Sequence, residues 1–471
     1  MGLAWDIFGK GKTVLRLMGG VYHNQRIGGG TGGAGASSLG ANPPEQKTFT
    51  INNGNIENIA NLVALGAAVS FPQTLRALEV HSKTPTIYNF QIGVQQDIGF
   101  KTVMEVSYVG SLARHLGEQR DINQFPDTAK FVDCTVAALF SVTCHPENRD
   151  PFSASSAKNS DFLRPYRGYA SINQNTWSGT SNYNGLQVQV NRRYTRGFQY
   201  GVAYTYSKTF DYANDDTNDV NNGRPYKAFN YAPANFDQTH ILTVNYIYDV
   251  PKLSRHWNNR WVRLLLDNYQ ISGTTSYASG KPKDLTVSFT SGTATITAGQ
   301  TCPPGSIQTS STLCTMITDF TGGSINATPK ITCDPMKGIT GTDSSGMPYV
   351  INVGCFTNAT RLGDIGNMGR NFVRMPSIFN NDLAFFKNIP LGERREVQLR
   401  WEIYNIFNHP NFRDIDGSMT FALRTVTNPD GTTGAVIRQT RDTSFGSTTS
   451  FGTPTSARSA RVMQASVRIN F

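Results

Sequence analysis

The sequence predicts an all-β chain whose antiparallel strands build the wall of a transmembrane β-barrel. Three features carry that expectation. Apolar and polar residues alternate with a period of two in run after run, and because a strand sends successive side chains to opposite faces, each run has one greasy face and one wet face. The connections between runs alternate between short and long. Aromatic residues gather at both ends of the runs on the apolar side, as in the two interfacial girdles of a membrane barrel.

Composition narrows the class. Hydrophobic residues make up 38% of the 471 residues, and the longest apolar stretches, 61–71 and 135–142, fall well short of the ~18 residues of a spanning helix. A helical membrane bundle is therefore excluded. The 44 glycines, 19 tyrosines and 27 phenylalanines suit twisted strands and tight turns. A formal charge of +10 is scattered along the chain without a Lys/Arg run, so no nucleic-acid partner is expected.

The elements follow in order. The chain opens with a hairpin over residues 3–22 that turns at GKGK, 9–12. Runs at 90–94 and 104–108 flank a short turn at 97–101. LQVQVNRR (186–193) sets Leu186, Val188 and Val190 against Gln187, Gln189 and Asn191. Beyond a turn at 194–197, FQYGVAYTYS (198–207) sets Phe198, Tyr200, Val202, Tyr204 and Tyr206 against Gln199, Gly201, Ala203, Thr205 and Ser207. Runs at 242–248 and 269–277 flank a somewhat longer turn, 251–264. Runs at 383–387 and 397–403 flank 390–394; in the second, Val397, Leu399, Trp401 and Ile403 oppose Gln398, Arg400 and Glu402. RVMQASVRINF (461–471) closes the chain, with Met463, Ala465, Val467, Ile469 and Phe471 on one face and Val462, Gln464, Ser466, Arg468 and Asn470 on the other.

This makes about eleven strands, most near the 9–11 residues of a membrane strand. The long connections at 23–83, 112–182, 209–235, 281–376 and 409–458 are rich in Gly, Ser, Thr and Asn. They are expected to be solvated loops. Short turns at one end and long loops at the other is the layout of an outer-membrane barrel, turns periplasmic and loops extracellular. A soluble sandwich explains the alternation but not this asymmetry. Nor does it explain why Tyr204 and Tyr206 point toward a long loop while Tyr246 and Tyr248 point toward a short turn. In a barrel the polar face lines the lumen, which assigns Gln187, Gln189, Gln398, Arg400, Glu402 and Arg468 to it.

Six cysteines, Cys134, Cys144, Cys302, Cys314, Cys333 and Cys355, fall in loops as sequence-local couples. Without C-x-x-C spacing or a Cys/His cluster, zinc is not expected. Disulfides 134–144, 302–314 and 333–355 are the preferred pairing among 15 connectivities, and imply an oxidising compartment. Yet MGLAWDIFGKGK has no signal-peptide pattern. DYANDDTNDVNNG (211–223) could hold calcium through Asp211, Asp215, Asp216 and Asp219, but its spacing fails the calcium-loop template, which favours a plain loop. The glycine-rich 26–44 lacks the Lys-Ser/Thr of a phosphate loop. Seven scattered histidines, with no nucleophile or metalloprotease motif nearby, point away from an enzyme. No catalytic, cofactor or metal site is expected.

Several stretches resemble the C-terminal barrel of Oar-like TonB-dependent receptors of bacterial outer membranes. They are YNFQIGVQQDIGFKTVMEVSYVGSLARHL (88–116), YNGLQVQVNRRYTRGFQYGVAYTYSKTFD (183–211), NFDQTHILTVNYIYDVP (235–251), YQISGTTSYASGKP (269–282), GNMGRNFVRMPSIFNNDLAFFKNIPL (366–391) and REVQLRWEIYNIFNHPNF (395–412). The resemblance implies a signal peptide, often a regulatory-like N-terminal domain, a plug that contacts TonB, and a barrel of about 22 strands. Residues 1–471 then represent the second half of that barrel only, a fragment or truncated product without plug and N-terminal domain. The missing export signal would belong upstream. The resemblance also gives the final strand, Val467, Ile469 and Phe471, the role of the signal read by the barrel-assembly machinery.

The function so implied is energised uptake of a large nutrient (an oligosaccharide, peptide or metal chelate) at the outer membrane. Its partners would be membrane lipid, the assembly machinery, the TonB system through the absent plug, and an unidentified ligand. The alternatives are a surface or adhesion barrel without transport, and a secreted soluble β-sheet binding protein.

Overall fold

The computed structural model describes residues 1–24, 42, 73–81, 83–124, 164–213, 229–256, 259–317, 321, 327–343, 345–357, 365–391, 395–439 and 450–470. Its main sheet contains the strands β1 (Gly2–Asp6), β2 (Thr13–His23), β3 (Thr86–Gly99), β4 (Thr102–Asp121), β5 (Tyr169–Thr195) and β6 (Phe198–Asp211). It continues through β7 (His240–Asp249), β8 (Tyr269–Ala278), β9 (Ile378–Pro390), β10 (Glu396–Tyr404) and β11 (Val462–Asn470). Spatial order follows chain order throughout, and every neighbouring pair is antiparallel. Connections at 7–12, 100–101, 196–197, 250–268 and 391–395 are short and share one end; those at 24–85, 122–168, 212–239, 279–377 and 405–461 are long and share the other. The two-residue turn Arg196–Gly197 has φ of 51° and 78°, the paired left-handed conformation that a tight hairpin requires.

Register sorts the two faces. One apolar row runs Leu3, Leu17, Ile92, Tyr108, Leu186, Tyr206 across the first six strands. A second runs Trp5, Leu15, Val94, Val106, Val188, Tyr204, Leu242, Tyr277, Phe379 across nine. A third crosses the C-terminal half through Tyr248, Ile271, Phe385, Trp401 and Ala465. Among the described residues nothing covers this face: Trp401 is 48% exposed and Val467 65%. A protein core would have buried them; hydrocarbon is the solvent that such a face fits.

The buried core lies beyond the wall. The described parts of the connections 279–377 and 405–461 fold together into an external module around Leu285, Ala294, Ile296, Met316, Ile351, Val353, Val373, Met419, Phe421 and Phe451. Strand 286–290 pairs parallel with 418–422, and 418–427 forms a hairpin with 433–439. Disulfides join Cys302 to Cys314 and Cys333 to Cys355, with Cα–Cα 5.6 Å and 4.9 Å. These two connections are therefore not the plain solvated loops expected. Their apolar residues are few but converge, and the disulfides shorten the chain that must be ordered.

Two further differences stand out. β4 and β5 reach 20 and 27 residues, the latter about 90 Å at ordinary strand rise, so their hairpin projects far past the bilayer. Its outer part reads ARHLGEQRD against SINQNTWSGTSN, and strand 73–78 adds to it in parallel. With water on both sides the alternation fades, and these residues read as loop. The turn 250–268 contains a seven-residue helix, α1 (Arg260–Leu266), capped by the Asn259 side chain accepting from the Trp261 N–H at 2.8 Å.

Candidate functional site

Gln187, Gln189, Gln398, Arg400, Glu402 and Arg468 all fall on the face opposite the apolar rows. Gln187 stands beside Ser107 and Thr205, and Gln189 beside Glu105 and Ala203. Gln398 stands between Asn388 and Arg468. Hydrogen bonds run along and across these strands: Gln398 donates to Asn388 at 2.9 Å, Arg400 Nε donates to Gln398 Oε1 at 2.6 Å, and Gln464 donates to Glu402. A hollow of about 300 Å³ opens on this face, lined by Gln199, Asn245, Ser272, Thr274, Asp382, Glu402 and Tyr404. Ser272 and Thr274 are short, which leaves the space; Asp382 and Glu402 bring carboxylates to a lining that Ile247, Leu383, Ala384 and Ile403 share.

Above the wall, a set of charged and amide side chains fastens the external module to the strand ends. Arg374 spans Asp237 (Nη2 to Oδ2 2.6 Å) and the Gly280 carbonyl (3.2 Å), while Asp237 also accepts the Thr209 N–H at 2.7 Å. Arg370 pairs with Asp211 and donates to the Asn230 carbonyl at 3.2 Å. Asn371 donates to the Pro233 carbonyl at 2.8 Å, and its N–H is received by Asp284. Within the module, Lys283 of the first connection reaches Asp414 of the second at 2.7 Å. Burial, the largest single influence, raises Asp414, but the hydrogen bonds from Lys283 and the Ile415 N–H and the charge of Lys283 together outweigh it and hold the carboxyl below its usual range.

Asparagines bracket the root of the last connection. Asn411 and Phe379 exchange two bonds, 2.7 and 2.8 Å, and Asn405 and His409 exchange two at 3.0 Å. On the projecting hairpin, Glu118 accepts from Arg120, Ser178 and Thr176. The module's surface is rich in hydroxyls: Ser288 meets Thr420 at 2.9 Å, Thr295 meets Thr425 at 3.3 Å, and Thr297 meets Thr433 at 3.1 Å.

These fastenings were not read from the sequence, although Arg370, Asn371, Arg374 and Asp237 all sit in stretches quoted above for their resemblance. Their partners lie up to 159 residues away, beyond any local pattern. Asp211, considered for calcium, is an ion-pair partner of Arg370. Asp215, Asp216 and Asp219 lie outside the described residues, as do Cys134, Cys144, Phe471 and nearly all of 26–44. Val467 and Ile469 stand on the exposed apolar face of β11.

A family model described as an outer membrane beta barrel domain matches residues 1–464. No curated protein matches. Among solved structures, the outer membrane transporter YddB from Escherichia coli is similar at TM-score 0.38 and 11% identity, over 93% of this chain and 39% of that one. The siderophore receptor PiuA from Acinetobacter baumannii is similar at TM-score 0.38 and 9% identity, over 99% and 35%. The ferric-catecholate import receptor Fiu from E. coli K12 is similar at TM-score 0.35 and 10% identity, over 100% and 34%. The chain thus spans between 34% and 39% of the length of these three structures.

Proposed function

The chain belongs to the outer membrane beta barrel domain family, and from that premise we propose that it forms part of the wall, and a ligand-binding external face, of a TonB-dependent receptor for a large nutrient. The observation that carries this reading is the coupling of two features in one molecule. The wall has a polar inner face with a hollow in it, and a disulfide-bonded module is fastened by Arg370 and Arg374 to the outer ends of the same strands. A ligand held by the module would sit at the mouth of a polar passage. Its hydroxyl-rich surface favours a hydrogen-bonding ligand, such as an oligosaccharide, a peptide or a metal chelate.

In this reading residues 1–471 act as a single wall-and-loop domain. Among the described residues β1 and β11 each have one neighbour in the main sheet. In hydrocarbon each unpaired backbone group costs several kcal/mol, so further strands complete the barrel at both edges. The plug and the TonB-contacting segment are supplied by polypeptide other than these residues. The energy-coupling part rests on the resemblance of the six quoted stretches.

Uptake by producing cells tests the proposal, measured with labelled oligosaccharides, peptides and metal chelates, with and without the cell's TonB-type coupling protein. Retained surface binding with abolished uptake on loss of the coupling protein is the expected result. Uptake that proceeds undiminished without it would overturn the energised mechanism.

A further inference from the structure

The short turns at the periplasmic end of the wall are tight, except one. Residues 250–268 carry α1, a seven-residue helix, shorter than the length at which a helix holds in water by itself. Trp261, Leu264 and Leu265 lie on one side of it at i, i+3 and i+4. Trp261 is 66% exposed and Leu265 58%. A helix this short, with its large apolar residues outward, needs a surface to lie on.

The contacts at its end say which surface. Tyr269 and Lys387 are register partners at the periplasmic end of the apolar face. The Tyr269 hydroxyl donates to the Leu265 carbonyl at 2.9 Å. Lys387 lies over the Tyr269 ring, 4.5 Å from its centre, and donates to the Asp267 carbonyl oxygen. The helix is therefore stitched to the lipid-facing side of the rim and not to the polar side. Its apolar residues continue the face that Phe198 and Tyr248, packed edge to face at 6.0 Å, present to the membrane at the same depth.

Charge agrees with that placement. The turn carries Lys252, Arg255, Arg260 and Arg263 against one acid, Asp267. That carboxylate is buried and occupied: the hydroxyl and N–H of Ser254 both donate to it, and the hydroxyl's hydrogen bond chiefly holds it below its usual range. The turn thus presents basic and apolar groups outward and keeps its acid inside.

We propose that the turn 250–268 is a lipid-binding foot. Helix α1 lies in the headgroup layer of the inner leaflet, with Trp261, Leu264 and Leu265 among the upper acyl carbons and Arg255 and Arg263 against the phosphates of anionic glycerophospholipids. The foot fixes the depth and tilt of the wall at strands β7 and β8. It depends on the outer-membrane location, not on the transport reading.

The test uses the full-length protein, purified from outer-membrane fractions with whatever strands complete its barrel, in vesicles of phosphatidylethanolamine and phosphatidylglycerol. Emission from Trp261 is taken as the difference between the unaltered protein and Trp261→Phe, and that from Trp401 by Trp401→Phe. Lipid brominated high on its acyl chains should remove most of the Trp261 emission, and lipid brominated near the chain ends should remove most of that from Trp401. Leu265→Asp should abolish the first effect and leave the second. Exchanging phosphatidylglycerol for phosphatidylcholine should weaken the quenching of Trp261 alone. If Trp401 is quenched while Trp261 is not, the foot does not touch lipid and the proposal fails. Equal quenching in the two lipid mixtures would overturn its preference for anionic headgroups.

Discussion

Ion pairs on this molecule carry very different weight at the scale of the residue. In Arg374–Asp237 the aspartate side chain is 1% exposed and the arginine 30%; in Lys337–Asp334 the lysine is 83% exposed and the aspartate 48%. Among the described residues, removing Arg374 leaves a buried carboxylate with the Thr209 N–H as its donor, and stranding a buried charge typically costs about 3 kcal/mol. Arg374→Ala should therefore lower the stability of the lipid-embedded protein by that order. Arg374→Lys should recover only part, because an ammonium does not reproduce the fork that serves Asp237 and the Gly280 carbonyl together. Lys337→Ala should change stability by less than about 0.5 kcal/mol, since an exposed pair is screened by water and salt. Denaturant midpoints of the three variants decide the matter; equal shifts for Arg374→Ala and Lys337→Ala would mean that Arg374 is not holding the rim.

At the scale of the element, what could be read from the sequence depended on which solvents the two faces meet. The main-sheet strands have stretches in which one face meets lipid and the other does not, so runs such as 198–207 and 397–403 alternate cleanly and were legible with their order and the short–long connections. Where both faces meet water the pattern dissolves, which is why 112–121 and 169–182 read as loop although 112–121 pair with 173–182 across two register shifts. In the external module the signal was present but brief: Val287 and Phe289, then Met419, Phe421 and Leu423, alternate inward over strands of five and ten residues that lie about 130 residues apart. The polar-face residues of the wall were legible by the same alternation as the strands. The fastening of module to wall was not, because an arginine in a loop carries no local mark of a partner more than a hundred residues away. The module's independence from the wall is testable through its disulfides. Cys333 and Cys355 close a segment with a sequence separation of 22, for which the chain-entropy model gives about 3 kcal/mol. Cys333→Ala with Cys355→Ala should make the module cleavable by protease at concentrations that leave the unaltered protein intact, while the wall keeps its heat-modifiable gel mobility. Loss of the folded wall along with the module would show that the two fold as one unit.

On the scale of the whole molecule, the usual arrangement of apolar residues is inverted. The best-buried core lies outside the membrane, around Ile351, Val373 and Met419, while the wall carries its large apolar side chains outward with none of the described residues over them. A soluble sheet could not keep such a face in water without associating; a membrane wall requires it. The distinction comes down to adjacent residues in the middle of β7, near the centre of the sheet. Val244 stands on the apolar face between Val202 and Thr275, and Thr243 stands on the polar face between Ala203 and Ser276. Both are at least partly accessible, so in water an arginine would be tolerated at either. In the bilayer the two positions differ, because an arginine facing lipid near the midplane costs about 2–4 kcal/mol whereas one facing the lumen remains hydrated. Val244→Arg should accordingly reduce the folded, heat-modifiable protein in outer-membrane fractions and lower its stability in phospholipid vesicles by that amount. Thr243→Arg should leave both within about 0.5 kcal/mol of the unaltered protein. If the two substitutions proved equally mild, the apolar face would not be in contact with hydrocarbon.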